Sequence, residues 1–454
     1  MQLIRDKQFY KTILAIGVPI MLQNLINFLV NMVDTIMLSR ASLNDELVSA
    51  ADLANKPGFL LALTLIGLTG GGIALASQYW GKGDIKAIRK ITAMILQTGV
   101  LLAFLSGTAV LLFPYGTMKI FTDNMIIIEK GVIYLQVIGW TYFIIGISIV
   151  LASMLRSVEV VKIALFADIA GLSLNVFLNW IMIFGNLGFP ALGIQGAAIA
   201  TLIARIVTFI IIVIYVFAAD KRLKFRLRDI FCFDLSLFKD IIKYSFPVMV
   251  TQMVWALGIT FQAMIIGRVT YVDGDFVAAN AACSIIYLLF MVAMFGAGNA
   301  AIVITGKTIG EGKLHEAKHK ADTFYKISVL MGALICVSII LTRGLIISIF
   351  NFSSETETMA KNLLIFVGIV AFFGSIASMT IAGVFRGGGD TRFCLGIELS
   401  AMWGVAIPLA ALLVFVFKAP VPIVYIGMKI DEFIKTIICS IRIKGHRWIK
   451  KMTK

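Results

Sequence analysis

The sequence predicts an all-α integral membrane protein with twelve transmembrane helices in two six-helix bundles, and three observations predict this fold. The 454-residue chain is 60% hydrophobic with a mean hydropathy of +0.96, and only 14% of its residues are charged. Soluble proteins carry about 25% charged residues. Apolar runs of about 20 residues, each long enough to cross a bilayer core of ~30 Å, recur along the whole chain. The third observation is an internal repeat.

The two halves of the chain repeat one pattern at a nearly constant spacing. The segments 19–40 and 247–268 both begin with Pro and end with Arg, 228 positions apart. Further equivalent pairs follow at spacings of 229 and 230, namely Gly81 and Gly83 with Gly310 and Gly312, and Arg156 and Lys162 with Arg386 and Arg392. Single-residue loop insertions explain the drift in spacing. Two related halves within an apolar chain are typical of secondary transporters.

The apolar runs divide evenly between the halves, with six in each. They cover about 12–38, 47–75, 91–113, 131–155, 163–184, 194–217, 245–267, 277–305, 326–350, 361–385, 393–417 and 421–441. An even number of crossings gives both repeats the same orientation, so the repeat axis runs along the membrane normal. We therefore expect an N-terminal lobe (1–217), a cytoplasmic amphipathic linker (218–243) and a C-terminal lobe with a basic cytoplasmic tail (244–454). The pattern of the linker favours a helix on the membrane surface over a regulatory element.

The positive charge is distributed by membrane side. Of the 40 Lys and Arg residues, 29 fall on one alternate set of loops, seven on the opposite set and four inside the apolar runs. The positive-inside rule then places both termini and the linker in the cytoplasm of a multi-pass cell-membrane protein. Topology and anionic lipid explain the net charge of +15. We expect membrane lipid and a small organic substrate as partners, no nucleic acid, and a monomer.

Motifs that suggest enzyme chemistry have simpler explanations here. The HExxH pattern at His315 to His319 matches zinc proteases, but its repeat equivalent is the basic loop at 86–90. We therefore expect no metal, no cofactor other than a coupling ion, and no enzyme activity. The triple glycines at 70–72 and 387–389 lack the strand–turn–helix frame of a dinucleotide site. They predict close helix packing and a tight turn, respectively.

Polar side chains inside the first apolar run require a reason, because an ionisable group near the bilayer centre costs roughly 2.5–3.5 kcal/mol. Gln23, Asn27, Asn31 and Asp34 follow one another at spacings of four, four and three, so they share one helical face. Such a stripe predicts a face turned toward a watery cavity, with a cation or proton site at Asp34. The alternative is a hydrogen-bonded seam between helices.

Two further polar pairs lie in the fifth and the second of the apolar runs, 163–184 and 47–75. Asn175 and Asn179 are four residues apart and offer neutral oxygens that suit a hard cation. Interhelical hydrogen bonding is the alternative. Asp52 and Lys56 are also four apart, which favours a self-neutralising pair. In the other interpretation Lys56 neutralises Asp34 in one conformation.

The second half lacks a carboxylate at the equivalent positions, since Asp34 corresponds to Gln262. A carboxylate-based coupling site therefore belongs to the N-terminal half. The C-terminal half offers a polar, aromatic and Met-rich wall for bulky, partly cationic ligands, although the same residues could form core: Gln252, Trp255, Gln262, Tyr287 and Met291. We expect structural charge clusters around Asp168, around its repeat equivalent Glu398, and within 429–435.

Several strings together resemble the multidrug and toxic compound extrusion (MATE) family over nearly the whole chain: VDTIMLSR (33–40), SQYWGKGD (77–84), LRSVEVVK (155–162), NVFLNWIMIFG (175–185), LGIQGAAIATLIAR (192–205), FRGGGDTRF (385–393), IPLAAL (407–412) and DEFIK (431–435). The resemblance implies two bundles around a central cavity. It also implies alternating-access export of amphipathic, often cationic compounds, driven by inward flow of Na⁺ or H⁺.

The same resemblance implies an N-lobe cation site at Asp34, Asn175, Asn179 and Thr201. Several family members have a second carboxylate where this chain has Asn179, so the choice between Na⁺ and H⁺ stays open. The alternative function is a flippase for lipid-linked precursors, which related folds perform. A flippase for pyrophosphate-linked lipids requires a strongly basic cavity. Only four Lys and Arg residues lie inside the apolar runs, and this small number argues against such a cavity.

Overall fold

The computed structural model describes residues 4, 6–41, 46–269, 271, 274–350 and 352–453, with the side chains of Asn31 and Ala41 excepted. Within these ranges every regular element is helical. The helices are α1 (Lys7–Ala41), α2 (Glu46–Lys82), α3 (Ile85–Leu112), α4 (Pro114–Lys119), α5 (Met125–Ile138), α6 (Trp140–Ser157), α7 (Lys162–Met182), α8 (Gly193–Ile214), α9 (Leu235–Ile266), α10 (Phe276–Gly310), α11 (Leu314–Ile347), α12 (Ser354–Ser378), α13 (Thr391–Glu398), α14 (Ile407–Ala411), α15 (Val421–Met428) and α16 (Ile430–Lys444).

Eleven helices in the described part of the chain are long and apolar enough to cross a membrane. Three of them include π-helical turns, which lie at Tyr215–Ala219, Met379–Phe385, and in the stretch from α13 to Val416. The twelfth predicted span is α15 followed by α16. It is interrupted at Lys429, whose φ of −109° and ψ of 10° break the helical path. The all-α transmembrane fold class is confirmed.

The chain forms two compact units. The N-terminal unit contains 22–76 and 83–245, and the C-terminal unit contains 1–21, 77–82 and 246–454. The first part of α1 and the last part of α2 therefore belong to the C-terminal unit. The linker belongs to the N-terminal unit. This division differs from the linear borders of the sequence-based scheme because long helices extend beyond the bundle in which they begin or end.

The linker is not the surface helix that its amphipathic pattern predicts. Its described structure contains one short 3₁₀ turn, Leu227–Phe231, before α9 begins. Asp220 accepts the backbone N–H groups of Leu223 and Lys224 at 2.8 Å each, which fixes a turn at the start of the linker. The linker also packs on α3, since Gln97 Nε2 donates to the Ile230 carbonyl at 2.6 Å. Local side-chain hydrogen bonds thus replace a continuous helix.

The internal repeat is visible as a reciprocal helix crossing within the C-terminal unit. Gly81 lies against the Lys307 carbonyl, and Gly310 lies against the Gln78 carbonyl, with no room for a Cβ atom at either glycine. The two contacts are repeat equivalents of each other, because Gln78 corresponds to Lys307 and Gly81 to Gly310, each pair 229 positions apart. The ends of α2 and α10 therefore cross with local pseudo-symmetry, as two related halves require.

Both triple glycines have the predicted structural roles. In the N-terminal unit Gly71 packs against the backbone of Ser245, where a Cβ would lie only 2.6 Å from the Ser245 nitrogen. In the C-terminal unit Gly389 has a φ of +84° and closes a turn by donating its N–H to the Arg386 carbonyl at 2.9 Å. That left-handed conformation favours glycine.

The segment after α16 folds back onto the C-terminal unit. Asp390 is fully buried and accepts hydrogen bonds from Arg442 Nε at 2.7 Å and from Lys450 Nζ. The Met452 N–H donates to Gln78 Oε1 at 2.8 Å, and Trp448 is fully buried. The basic tail is therefore attached through specific contacts and does not hang free over its described length.

Candidate cation site

The N-terminal unit brings together the four residues of the expected cation site. Asn179 Nδ2 on α7 donates to Asp34 Oδ1 on α1 at 2.5 Å. Thr201 Oγ1 on α8 donates to Asp34 Oδ2 at 3.5 Å and accepts from Asn175 Nδ2 at 3.2 Å. A fourth contact joins Asn179 Nδ2 to Asn175 Oδ1 at 3.2 Å. Three helices thus converge on one carboxylate, which we call the Asp34 cluster (Asp34, Asn175, Asn179, Thr201).

The Asp34 cluster is rich in oxygen acceptors and poor in donors. Asn175 and Asn179 are 1% and 0% exposed, and Asp34 is half-buried. Asn179 Oδ1 has no hydrogen-bond partner among the described residues. An unpaired buried acceptor costs about 1–3 kcal/mol, and each such group requires an explanation. Carboxylate, amide and hydroxyl oxygens are the ligands of hard cations, and a proton on Asp34 would satisfy one acceptor as well.

A second polar cluster lies further along α1 and α7 and includes one residue of α6. Gln23 is 2% exposed, donates from Nε2 to Asp168 Oδ2 at 2.9 Å, and accepts from Arg156 Nη2 at 3.1 Å. We call these three residues the Asp168 cluster. The amide of Gln23 is thus engaged by two charged side chains, which corresponds to the hydrogen-bonded alternative for this part of the stripe.

One cavity is lined by members of both clusters, namely Asn175 and Thr201 of the first and Asp168 of the second. Its empty volume is about 300 Å³ including the open side, and its walls come from α1, α7 and α8: Ile26, Asn27, Val30, Asp168, Gly171, Leu172, Asn175, Thr201, Ala204, Arg205 and Thr208. Asn27 lines this cavity while donating to the Gln23 carbonyl at 3.0 Å. The Asn31 side chain lies outside the described residues. The polar face of α1 is therefore turned toward a cavity at Asn27.

Asp52 and Lys56 form an intrahelical pair. Lys56 Nζ lies 3.0 Å from Asp52 Oδ2, with the lysine and aspartate side chains 47% and 63% exposed. This geometry corresponds to the self-neutralising interpretation. Asp34 has its polar partners on α7 and α8 instead of Lys56.

Gln262 supports the interruption of the last helix. Its Nε2 donates to the Met428 carbonyl at 2.9 Å, and its Oε1 accepts from Lys429 Nζ at 2.9 Å. The Met428 carbonyl precedes the break and needs a donor from outside the helix. The repeat equivalent of Asp34 therefore holds backbone in the C-terminal unit.

The other candidates in the C-terminal unit differ in exposure. Met291 is 1% exposed in the core, where Ser375 Oγ lies 3.5 Å from its sulfur. Gln252 Oε1 accepts from Arg386 Nη2 at 3.4 Å. Trp255 and Tyr287 are half-buried. Of this set, Gln252 and the two aromatic side chains keep surface for a ligand, whereas Gln262 and Met291 are buried.

The C-terminal unit also holds a buried charge cluster. Lys435 Nζ lies 2.8 Å from Asp431, 2.8 Å from Glu432 and 3.4 Å from Glu398, and the lysine side chain is only 5% exposed. Glu398 thus joins two helical regions through one cation. This geometry corresponds to the structural cluster expected from the sequence.

His315 and His319 lie on α11 with ring centroids 4.6 Å apart in an edge-to-face arrangement. Among the described residues no group of three His, Cys, Asp or Glu side chains could hold a metal ion. Glu316, between the two histidines in sequence, pairs with Lys320 at 2.7 Å. The motif is therefore part of a charged helix end.

Arg205 is a cavity residue that the sequence marks only as one of the four bases inside the apolar runs. It lines the same cavity as Asp168. The signal was present, because Arg205 follows Thr201 by four residues and shares its helical face.

Comparison with known proteins identifies the family. The MatE family model matches residues 19–181 and 247–412, one stretch in each half of the repeat. The chain belongs to the MatE family. The probable multidrug resistance protein NorM of Thermotoga maritima is 27% identical, covering 97% of this chain and 93% of its own length. The multidrug resistance protein MdtK of Yersinia pseudotuberculosis is 26% identical, covering 97% and 96%.

A solved structure of an outward-facing multidrug resistance MATE family transporter of the MOP superfamily has the same fold. It matches with a TM-score of 0.85 at 22% identity, covering 98% of this chain and all of that chain. Membership of this family and eleven apolar spans in the described ranges make the protein a multi-pass membrane protein.

Proposed function

We propose that this protein is a cation-coupled antiporter that exports small amphipathic, often cationic organic compounds by alternating access. The observation that carries the proposal is the Asp34 cluster, in which a half-buried carboxylate meets amide and hydroxyl groups from two other helices. A charge inside a membrane is costly and points to a role in transport. The names of the relatives NorM and MdtK support export of drugs.

The mechanism requires that the cation bind two conformations with different affinity, because equal affinity shifts no equilibrium. In the structure Asp34 accepts from Asn179 and Thr201. A proton or Na⁺ at Asp34 competes with these two donors for the carboxylate oxygens, so loading changes the contacts that attach α1 to α7 and α8. Helix α1 then repacks, the outward-open form with substrate bound becomes less favourable, and the substrate leaves. The half-buried rings of Trp255 and Tyr287 offer cation–π surface to the substrate.

The test is efflux of a fluorescent cationic dye from proteoliposomes under an imposed Na⁺ or H⁺ gradient. Wild type is compared with Asp34→Asn and with Asp123→Asn, which removes an exposed carboxylate of the same unit. One gradient should drive dye efflux in wild type and in Asp123→Asn, and Asp34→Asn should lose that response. Equal gradient-driven efflux in Asp34→Asn would refute the assignment of the coupling site.

The flippase alternative has a separate readout. A pyrophosphate headgroup needs several unpaired bases, whereas two of the four bases inside the apolar runs are neutralised: Lys435 by three carboxylates and Lys56 by Asp52. The same proteoliposomes can be loaded with a fluorescent polyprenyl pyrophosphate. Protein-dependent transfer of that lipid, without dye efflux under either gradient, would favour the flippase. We further propose the cell membrane as location, with both termini in the cytoplasm.

A further inference from the structure

Arg205 occupies the part of the cavity between the two polar clusters. On α8, Thr201 contacts Asn175 of α7 at one end, and Thr208 Oγ1 donates to the Ala167 carbonyl of α7 at the other, at 3.3 Å. Arg205 lies between these two anchors, about 6 Å along the axis from Thr201. Because Asp168 directly follows Ala167, position 205 of α8 lies between the level of the Asp34 cluster and that of the Asp168 cluster, and Arg205 lines the cavity there.

The charge of Arg205 acts on both carboxylates. The positive charge of Arg205 attracts the carboxylates of Asp34 and Asp168. Within the described part of the chain, no ion pair within 4.0 Å fixes it to either one. Asp168 already accepts from Gln23, and Asp34 already accepts from Asn179. Arg205 is therefore a half-buried cation shared by two anions that have other hydrogen-bond donors.

We infer that Arg205 is the internal counter-cation of the coupling site, which competes with the transported cation for Asp34 and turns toward Asp168 when that cation binds. The inference rests on the proposed function. It makes Arg205 a positioning residue that sets the cation affinity of Asp34. It also connects that site to the Asp168 cluster, since Asp168 contacts α1 through Gln23.

Two opposite effects follow from this arrangement. Replacing Arg205 with Gln removes the competing charge, so a monovalent cation should bind Asp34 on the order of tenfold more tightly. Replacing Asp168 with Asn removes the second anion, so Arg205 should remain with Asp34 and weaken cation binding several-fold. Arg205→Lys keeps the charge and should stay within about threefold of wild type. A purely structural role would not move the two neutral variants in opposite directions.

The experiment measures half-saturating cation concentration with the purified full chain. NaCl is titrated at constant ionic strength by calorimetry, and in a second series pH is lowered without Na⁺ while dye efflux is recorded. The charged and titratable groups that interact with Arg205 are Asp34, Asp168 and Tyr134, and Arg156 acts on the same Asp168, so each variant is compared over the same pH range. The matched control is Lys130→Ala, which removes an exposed positive charge of the same unit.

The expected result is a lower half-saturating concentration and a lower maximal rate in Arg205→Gln, a higher half-saturating concentration in Asp168→Asn, and wild-type values in Lys130→Ala. An unchanged affinity in folded Arg205→Gln, or shifts of both neutral variants in one direction, would overturn the inference. If Arg205→Gln does not fold, an unweakened Asp168→Asn overturns it. Failure of the proposed function is distinct, because wild type itself would then show no saturable cation dependence.

Discussion

The exchange of Asn179 for Asp tests the Asp34 cluster by adding the carboxylate that this chain lacks. Asn179 Nδ2 lies 2.5 Å from Asp34 Oδ1, so a carboxylate at position 179 would face Asp34 with charge centres about 4 Å apart. Its neighbours Asn175 and Thr201 would remain in place to complete a set of oxygen ligands.

The expected magnitude follows from that distance. Two unit charges 4 Å apart repel by about 4 kcal/mol at an effective dielectric constant of 20. A bound Na⁺ relieves this repulsion, and 1.4 kcal/mol corresponds to a factor of ten in affinity, so the upper limit is roughly a thousandfold. Rotation of one carboxylate relieves part of the repulsion without a cation. We therefore expect Asn179→Asp to bind Na⁺ between about tenfold and a thousandfold more tightly than wild type.

The assay is calorimetric titration of NaCl into the purified chain above pH 8, where H⁺ competes least. Asn186→Asp is the control, because it adds the same charge at the half-buried Asn186, whose side chain donates to the Trp180 carbonyl and lies outside the Asp34 cluster. Asn186→Asp should keep wild-type affinity. If Asn179→Asp binds Na⁺ no better than wild type, the two side chains do not form one cation site, and the reasoning from their distance is refuted.

Three further predictions concern stability and pH. Asp390→Asn leaves Arg442 and Lys450, which are 23% and 45% exposed, without their buried anion. The free energy of unfolding should fall by about 2–3 kcal/mol. A thermal unfolding midpoint within about 1 °C of wild type would contradict this. Lys435→Met leaves three carboxylates without their cation, and the free energy of unfolding should fall by about 3–5 kcal/mol. Adding Asp431→Asn should partly restore the yield of folded protein in size-exclusion chromatography. A yield of Lys435→Met equal to that of wild type would exclude a structural role for the cluster. The hydrogen bond from Lys90 lowers the pKa of Asp234. The contact between Asp234 of the linker and Lys90 of α3 should therefore be intact above pH 3.9, about the pKa of Asp in the unfolded chain, and be lost as pH falls through the lowered pKa. Hydrogen exchange of 218–243 that is already fast at pH 6 would argue against this.

The transmembrane architecture was predictable because insertion requires long apolar segments, and each one leaves a continuous pattern in the sequence. The repeat was predictable because its markers, such as Gly81 and Gly310, are fixed by close helix contacts that tolerate no side chain. The polar stripe of α1 was predictable in the same way, since a spacing of four and three places side chains on one face.

Other features depend on contacts that no local pattern encodes. The amide of Gln23 is engaged by Arg156 and Asp168, which are 133 and 145 residues away in sequence. The break at Lys429 follows Gly427 by two residues, and Gln262 from another helix stabilises it. The amphipathic pattern of the linker predicts a helix, yet Asp220 accepts hydrogen bonds from nearby backbone N–H groups and turns the chain there. In each case a tertiary or capping contact prevails over helical propensity.

The most direct measurement of the central claim records cation flux and dye flux in the same proteoliposomes. With dye at equal concentration on both sides, an imposed Na⁺ or H⁺ gradient should move dye against the direction of cation flow. Inverting the gradient should invert dye movement, and Asp34→Asn should abolish both fluxes. Dye movement that ignores the direction of both cation gradients, or that follows the cation in the same direction, would contradict a cation-coupled antiporter.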